Sequence, residues 1–149
     1  MNEIRQQLKE FNTIIKEIES LYSSFAKDSG ISESVFWVLY YAAQMGESFT
    51  QKSISKEWKL SKQTVNNAIR SLLSKGYITL TPSKGDQRNK EIQLTPLGQD
   101  FVKEFIVPVF EIEEAIFNQM AASHRQNLIK TNSIYLDNLR NLLEHRKEA

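Results

Sequence analysis

Seven apolar residues near the start of the chain constrain its architecture most. Ile4, Leu8, Phe11, Ile15, Ile18, Tyr22 and Phe25 recur at alternating spacings of four and three. Such spacing places them on one stripe of a helix sustained over three heptads, with Glu, Gln, Lys and Asn on the other faces. The pattern predicts a long amphipathic helix over residues 3–27, ended by Asp28, Ser29 and Gly30, with Gly30 suited to a left-handed cap. A stripe this long requires an equally long apolar partner.

The rest of the chain divides into shorter elements. Ser32 or Ser34 can cap a second helix that runs to about Gln44. Its residues 35–43 are apolar nearly all round, as expected of a central core helix. The aromatics Phe36, Trp37, Tyr40 and Tyr41 are read as packing. Residues 46–49 read as a turn. Thr50 caps a short helix through Trp58, and Lys59-Leu60 makes a tight turn. Ser61 caps a fourth helix ending at Ser74, closed by Gly76.

Two alternating runs follow, Ile78 with Leu80 and Ile92 with Leu94. The polar, basic stretch from Pro82 to Asn89 is read as the loop of a β-hairpin between them. Thr95 then caps a helix with Pro96 in its first position. Leu97, Phe101, Phe105, Val109, Ile112 and Ile116 line one face of it, and Pro108 is expected to kink or break it. Ser123 opens a last helix marked by Leu128, Asn132, Tyr135, Leu139 and Leu142. The order is four helices, a hairpin and two helices, in 149 residues without repeat or low-complexity stretch. The fold class expected is mainly α with a small β-hairpin wing (α+β).

Residues 50–74 have the layout of a helix-turn-helix. On the second of these helices Val65, Ala68, Ile69 and Leu72 share one face. The opposite face holds Gln63, Asn67, Arg70 and Ser74, flanked by Thr64, Asn66 and Ser71, and it has no carboxylate. Exposed helix faces ordinarily mix Glu with Lys. Amides, hydroxyls and one Arg instead suit base edges and phosphates, since Asn or Gln can pair with adenine and Arg with guanine. Lys62, Gln63 and Thr64 in the first turn would enter the major groove, next to Ser61. In the hairpin loop, Lys84 and Arg88 can straddle a phosphate backbone and place an Arg in the minor groove. Asp86 is positioned to hold the Arg88 guanidinium through a charge-assisted bond.

Charge agrees with this layout. Residues 51–90 hold nine Lys and Arg against Glu57 and Asp86, a local +7 in a chain whose total is +1. A local basic surface attracts phosphates even on a nearly neutral protein. An enzyme is disfavoured. The only histidines, His124 and His145, have no metal-ligand spacing, no Gly-rich phosphate loop exists, and Glu111, Glu113 and Glu114 form a solvated helical face. No cofactor or metal is expected. The absence of cysteine excludes a thiol sensor and suits a reducing cytoplasm. The first residues mix Glu3, Arg5, Lys9 and Glu10 without the apolar core of a secretion signal, so a cytoplasmic chain is expected. A winged-helix module that binds protein rather than DNA is the alternative. It would call for an apolar or acidic face where Gln63, Asn67 and Arg70 stand.

The stretch SKQTVNNAIRSLLSKGYITLTPSKGDQRNKEIQLTPLGQDF resembles the MarR family of winged-helix regulators. The resemblance is carried by the joint from Leu72 to Ile78, by Asp86-x-Arg88, and by Leu94-Thr95-Pro96-Leu97-Gly98. It implies a winged helix-turn-helix core with long N- and C-terminal dimerisation helices. Residues 1–149 would form a single MarR-like domain, with a DNA-binding lobe at 31–98 and a helical dimerisation lobe at 1–30 and 99–149. It further implies a homodimer on palindromic duplex DNA, with residues 61–74 in the major groove and Arg88 in the minor groove. Many members are repressors released by small, often aromatic or phenolic ligands, so the resemblance leaves room for a small-molecule effector, whose existence the sequence does not decide. Pro108 departs from the family pattern, and the lack of Cys argues against its peroxide-sensing branch.

Overall fold

A computed structural model describes residues 2–46, 48–83 and 85–148, with the backbone alone at Ser48, Asp86, Gln87 and Glu148. The elements run α1 (Glu3–Ser29), α2 (Glu33–Met45), β1 (Ser48–Thr50), α3 (Gln51–Glu57), α4 (Lys62–Ser74), β2 (Ile78–Ser83), β3 (Asp86–Leu94), α5 (Pro96–Phe101), a π-helical turn (Val102–Ile106), α6 (Val107–Gln119) and α7 (Ala122–Glu148). The architecture is mostly helical with one small antiparallel sheet, as the sequence predicts. The chain falls into two compact units, Met1–Val109 and Phe110–Ala149.

In the first unit, capping fixes the helix ends. The Asn2 side chain accepts from the Arg5 N–H at 2.9 Å, and Gly30 closes α1 at φ 76°. Thr50 and Ser53 form a reciprocal capping box on α3. α4 ends in a paired motif. The Tyr77 N–H donates to Leu72 O and the Gly76 N–H to Leu73 O, each at 3.0 Å, with Gly76 at φ 73°.

The core of this unit is built around α2, which packs on α1, α4 and the π turn. Phe36 and Leu39 from α2, Ile54 from α3, Val65 and Leu72 from α4, and Ile92 from β3 are fully buried. Each contributes roughly 1.5–3 kcal/mol relative to exposure. Among the described residues the core contains no buried polar or charged residue. This uniform apolarity gives the helix-turn-helix a rigid base.

Three features differ from the sequence reading. Residues 48 and 49, read as part of a turn, form with the capping residue Thr50 a strand that adds to β3 in the register Phe49↔Ile92. The sheet therefore has three strands in the order β1-β3-β2. Three residues are too few to show a period; pairing with β3 and burial of Phe49 hold them extended. Second, much of the stretch read as a hairpin loop is strand, since β2 reaches Ser83 and β3 starts at Asp86. Both faces are solvated this far out, so apolar alternation fades while backbone pairing continues. Pro82 lies in β2, at the edge of the sheet, where a missing N–H is tolerated.

Third, Pro108 does not end its helix. It is the second residue of α6, immediately after the π turn, in which the Val107 N–H donates to Val102 O, five residues back. In a regular α-helix the proline ring would press on the carbonyl four residues earlier, and one wider turn relieves that clash. The extra residue also shifts the buried stripe. Phe101, Ile106 and Val109 are buried, while Phe105 is half-buried and Leu97 exposed.

In the second unit, the Arg125 guanidinium donates to Phe117 O at 2.8 Å and Met120 O at 2.7 Å. A cation there satisfies carbonyls at the end of α6. α7 begins one residue before the expected Ser123 and buries almost nothing. Leu128, Ile129, Ile134, Tyr135, Leu136, Leu139, Leu142 and Leu143 are all exposed, Leu142 by 70%. No described helix is long and apolar enough to cross a membrane.

Candidate nucleic-acid interface

The joint between α3 and α4 is compact because Lys59 takes a left-handed backbone, φ 54°. The Trp58 ring just before it stacks on Tyr41 of α2, with centroids 4.4 Å apart and planes 14° apart. Ser61 then starts α4, accepting from the Thr64 N–H at 3.1 Å and donating to Thr64 Oγ1 at 2.7 Å. The first turn of α4 is thereby set before any ligand arrives.

α4 is divided as the sequence predicts. Val65, Ala68, Ile69 and Leu72 are buried. Ser61, Lys62, Gln63, Asn67 and Arg70 are exposed, and Thr64 and Asn66 are half-buried beside them. The outward face carries amides, hydroxyls and cations and no carboxylate, so nothing on it repels a phosphate.

The wing is tied to α4 by a close three-way joint. The Thr95 N–H donates to Tyr77 O at 3.0 Å, Thr95 Oγ1 donates to Gly76 O at 2.6 Å, and the same oxygen accepts from the Gly98 N–H at 3.1 Å. Gly98 comes so near Tyr77 that a Cβ on it would lie 2.0 Å from Tyr77 O. The Leu94–Gly98 stretch thus fastens α5, the end of α4 and the start of the wing together. Tyr77 continues inward onto Phe101, with ring centroids 4.9 Å apart.

At the wing tip, β2 and β3 pair Pro82↔Lys90 and then Ser83↔Asp86. The register shifts between Pro82 and Ser83, so the ladder is irregular at the tip. The Arg88 side chain is exposed there. Lys84 lies outside the described residues, as does the Asp86 side chain, and the expected hold of Asp86 on Arg88 falls there too.

Lys62 and Arg88 line one cleft of about 810 Å³ between α3, the start of α4 and the wing strands. The structure therefore brings these two predicted residues to a shared space, while Gln63, Asn67 and Arg70 occupy the open face of α4. Lys52, Lys56 and Lys90 line the same cleft. In the sequence they belong to the basic segment 51–90, with no sign of a shared cleft. The spacing of four between Lys52 and Lys56 was a usable signal, since it puts both on one helical face.

Comparison with known proteins agrees with this geometry. The model of one family, described as the MarR family, matches residues 29–89. The HTH-type transcriptional regulator SarZ of Staphylococcus saprophyticus is 32% identical over 104 residues, 70% of this chain and 68% of that protein. Among solved structures, the MarR family regulator NMB1585 from Neisseria meningitidis superposes with a TM-score of 0.78 at 24% identity, covering 98% of this chain and 99% of that one. The MepR–DNA complex of Staphylococcus aureus superposes with a TM-score of 0.67 at 25% identity, covering 88% and 96%.

Proposed function

The chain belongs to the MarR family of winged-helix transcriptional regulators, and we propose that it represses transcription as a homodimer on palindromic duplex DNA. The observation that carries this reading is the outward face of α4. It offers Gln63, Asn67 and Arg70 without a carboxylate, on a helix whose other face is locked into the core. In this reading Ser61, Lys62, Gln63, Thr64, Asn66, Asn67 and Arg70 serve the major groove, where a first helical turn reaches base edges. Lys84, Asp86 and Arg88 on the wing serve the neighbouring minor groove and its phosphates. The relative solved with DNA supports duplex DNA as the partner.

The dimer has its own support. Ile4 is 72% exposed and Ile18 45% exposed on α1, and the apolar residues of α7 are exposed along its length. Stripes of this size on a lone chain would be aggregation-prone patches, and a second copy is the economical cover. The helices at 1–30 and 99–149 then form the dimerisation lobe and residues 31–98 the DNA-binding lobe. Two-fold pairing puts two α4 helices on half-sites one helical turn, about 10 base pairs, apart. Family membership supports a small-molecule effector that relieves binding, and a cytoplasmic site of action.

The test is selection of binding sites from a random duplex pool, followed by affinity measurements across a salt series. The expected product is a palindrome bound tightly, with affinity falling steeply as salt rises. A chain that binds no duplex at low salt, or that enriches only a single unpaired half-site, would overturn the reading.

A further inference from the structure

We propose that Arg125 is the positioning residue that sets the distance between the two DNA half-sites, by holding the corner between α6 and α7 at one angle. This rests on the dimeric DNA-binding reading above. It concerns the spacing of the half-sites and not the contacts made within each.

The corner is built from little. α6 ends at Gln119 and α7 begins at Ala122, so Met120 and Ala121 alone join them. Among the described residues from 110 to 148 none is buried, so no apolar core there wedges the two helices at a fixed angle. The link holds neither glycine nor proline, the residues whose backbone preferences commonly define a turn.

A polar clamp takes their place. Arg125 Nη1, in the first turn of α7, donates to Phe117 O at 2.8 Å and to Met120 O at 2.7 Å. The first of these bonds crosses the corner to the last turn of α6, and the second holds the link itself. Both are charge-assisted, the stronger class of hydrogen bond. Arg125 is half-buried, so water screens the clamp less than it would an exposed pair. A planar guanidinium also donates in fixed directions, which specifies an angle as well as a contact.

The corner acts through a long arm. Residues 107–109 of α6 belong to the first unit, which carries α4, and Val109 is buried in that unit's core. The apolar residues that a second copy would cover run along α7. α6 therefore joins the reading unit to the dimer arm. Its 13 residues span about 20 Å. A rotation of about 10° at one end moves the other by about 3.5 Å, close to the rise of one base pair. Two-fold symmetry doubles this to about two base pairs between half-sites. Such a change also turns one half-site by about 70° around the duplex relative to the other.

Arg125→Ala tests this, with the parent chain's selected half-sites placed in a duplex pool at randomised separations. The parent chain should enrich one spacing. The variant should enrich a spread reaching about two base pairs to either side. At the parental spacing it should lose about tenfold or more in affinity, because the second half-site is engaged at a lower effective concentration. Affinity for a duplex with one half-site should stay within about twofold, since α4 and the wing are untouched, whereas a role in touching DNA would change it. Arg125→Lys keeps a cation that can donate to both carbonyls, and it should narrow the spacing again.

An Arg125→Ala chain that keeps one spacing at parental affinity overturns the proposal and leaves the dimeric DNA reading standing. So does one that becomes monomeric in sedimentation or loses helical circular dichroism, since Arg125 would then hold the dimer or the helix and not the angle. A parent chain that enriches no paired half-sites refutes the DNA reading itself, and this proposal with it.

Discussion

Replacing Gly98 by Ala should destabilise the protein although Ala is the better helix former. Gly98 is the third residue of α5, after Pro96 and Leu97. An added Cβ would meet Tyr77 O at 2.0 Å, Tyr77 C at 2.9 Å and Tyr77 Cα at 3.2 Å, where ordinary contact begins at 3.4 Å. All three atoms belong to the backbone or its Cα, so no flexible side chain can swing aside. Backing α5 away by more than an ångström would break the Thr95 N–H bond to Tyr77 O and the Thr95 hydroxyl bond to Gly76 O.

Those two bonds together are worth about 2 kcal/mol, and forcing bulk into a tight joint adds roughly 1–3 kcal/mol. Helix propensity works in the opposite direction by about 1 kcal/mol. The net expectation is a loss of roughly 2–4 kcal/mol, or a fall in melting temperature of roughly 5–15 °C for a chain of this length. Thermal and urea melts should be run at one protein concentration, because stability linked to dimerisation depends on concentration. Gly76→Ala is the comparison. Nothing lies within 4 Å of its added Cβ, so only its φ of 73° opposes the change, at about 1–2 kcal/mol. If Gly98→Ala melts at or above the parent temperature, the close approach of α5 to Tyr77 is wrong. The account of how the wing is fastened to α4 would fall with it.

Other substitutions separate the parts of the site. Ser61→Ala removes the side-chain cap of α4 and should cost about 1 kcal/mol in a urea melt; an unchanged midpoint would mean that α4 does not depend on its cap. Gln63→Ala and Asn67→Ala should each lose roughly 1–3 kcal/mol on a selected duplex and little on random duplex, keeping the salt slope, as read by fluorescence anisotropy. Arg88→Ala should instead weaken both duplexes and flatten the slope, and a purely sequence-selective loss would count against its place at the backbone. Leu139→Glu/Leu142→Glu should yield monomers in sedimentation. Four leucines across a two-fold contact are worth about 6 kcal/mol or more, some four decades in the dimer constant. A dimer unchanged by that pair would move the interface off this part of α7.

Relations within one turn of helix were legible from the residues alone. The caps at Thr50, Ser61 and Thr95, the terminators Gly30 and Gly76, and the split of α4 into buried and outward faces all depend on neighbours three to five positions away. For the same reason the carboxylate-free face of α4 and the basic character of residues 51–90 were readable, and so was the family.

Tertiary structure decided whatever depends on distant partners. Strand β1 exists because Phe49 meets Ile92, and three residues carry no periodic signal of that pairing. The reach of β2 and β3 toward the wing tip is set by backbone bonds, which leave no mark on side-chain alternation. The π turn before Pro108 settled a conflict that the sequence posed without resolving: a helix breaker inside an apolar stripe whose packing kept the backbone helical. Gly98 stood in a recognisable motif, but its reason, a carbonyl from Tyr77 pressed against its Cα, appears only when α5 is folded back on the joint. The cleft was out of reach for the same cause, because it gathers Lys52 and Lys56 from α3 with Arg88 and Lys90 from β3, brought together only by the fold.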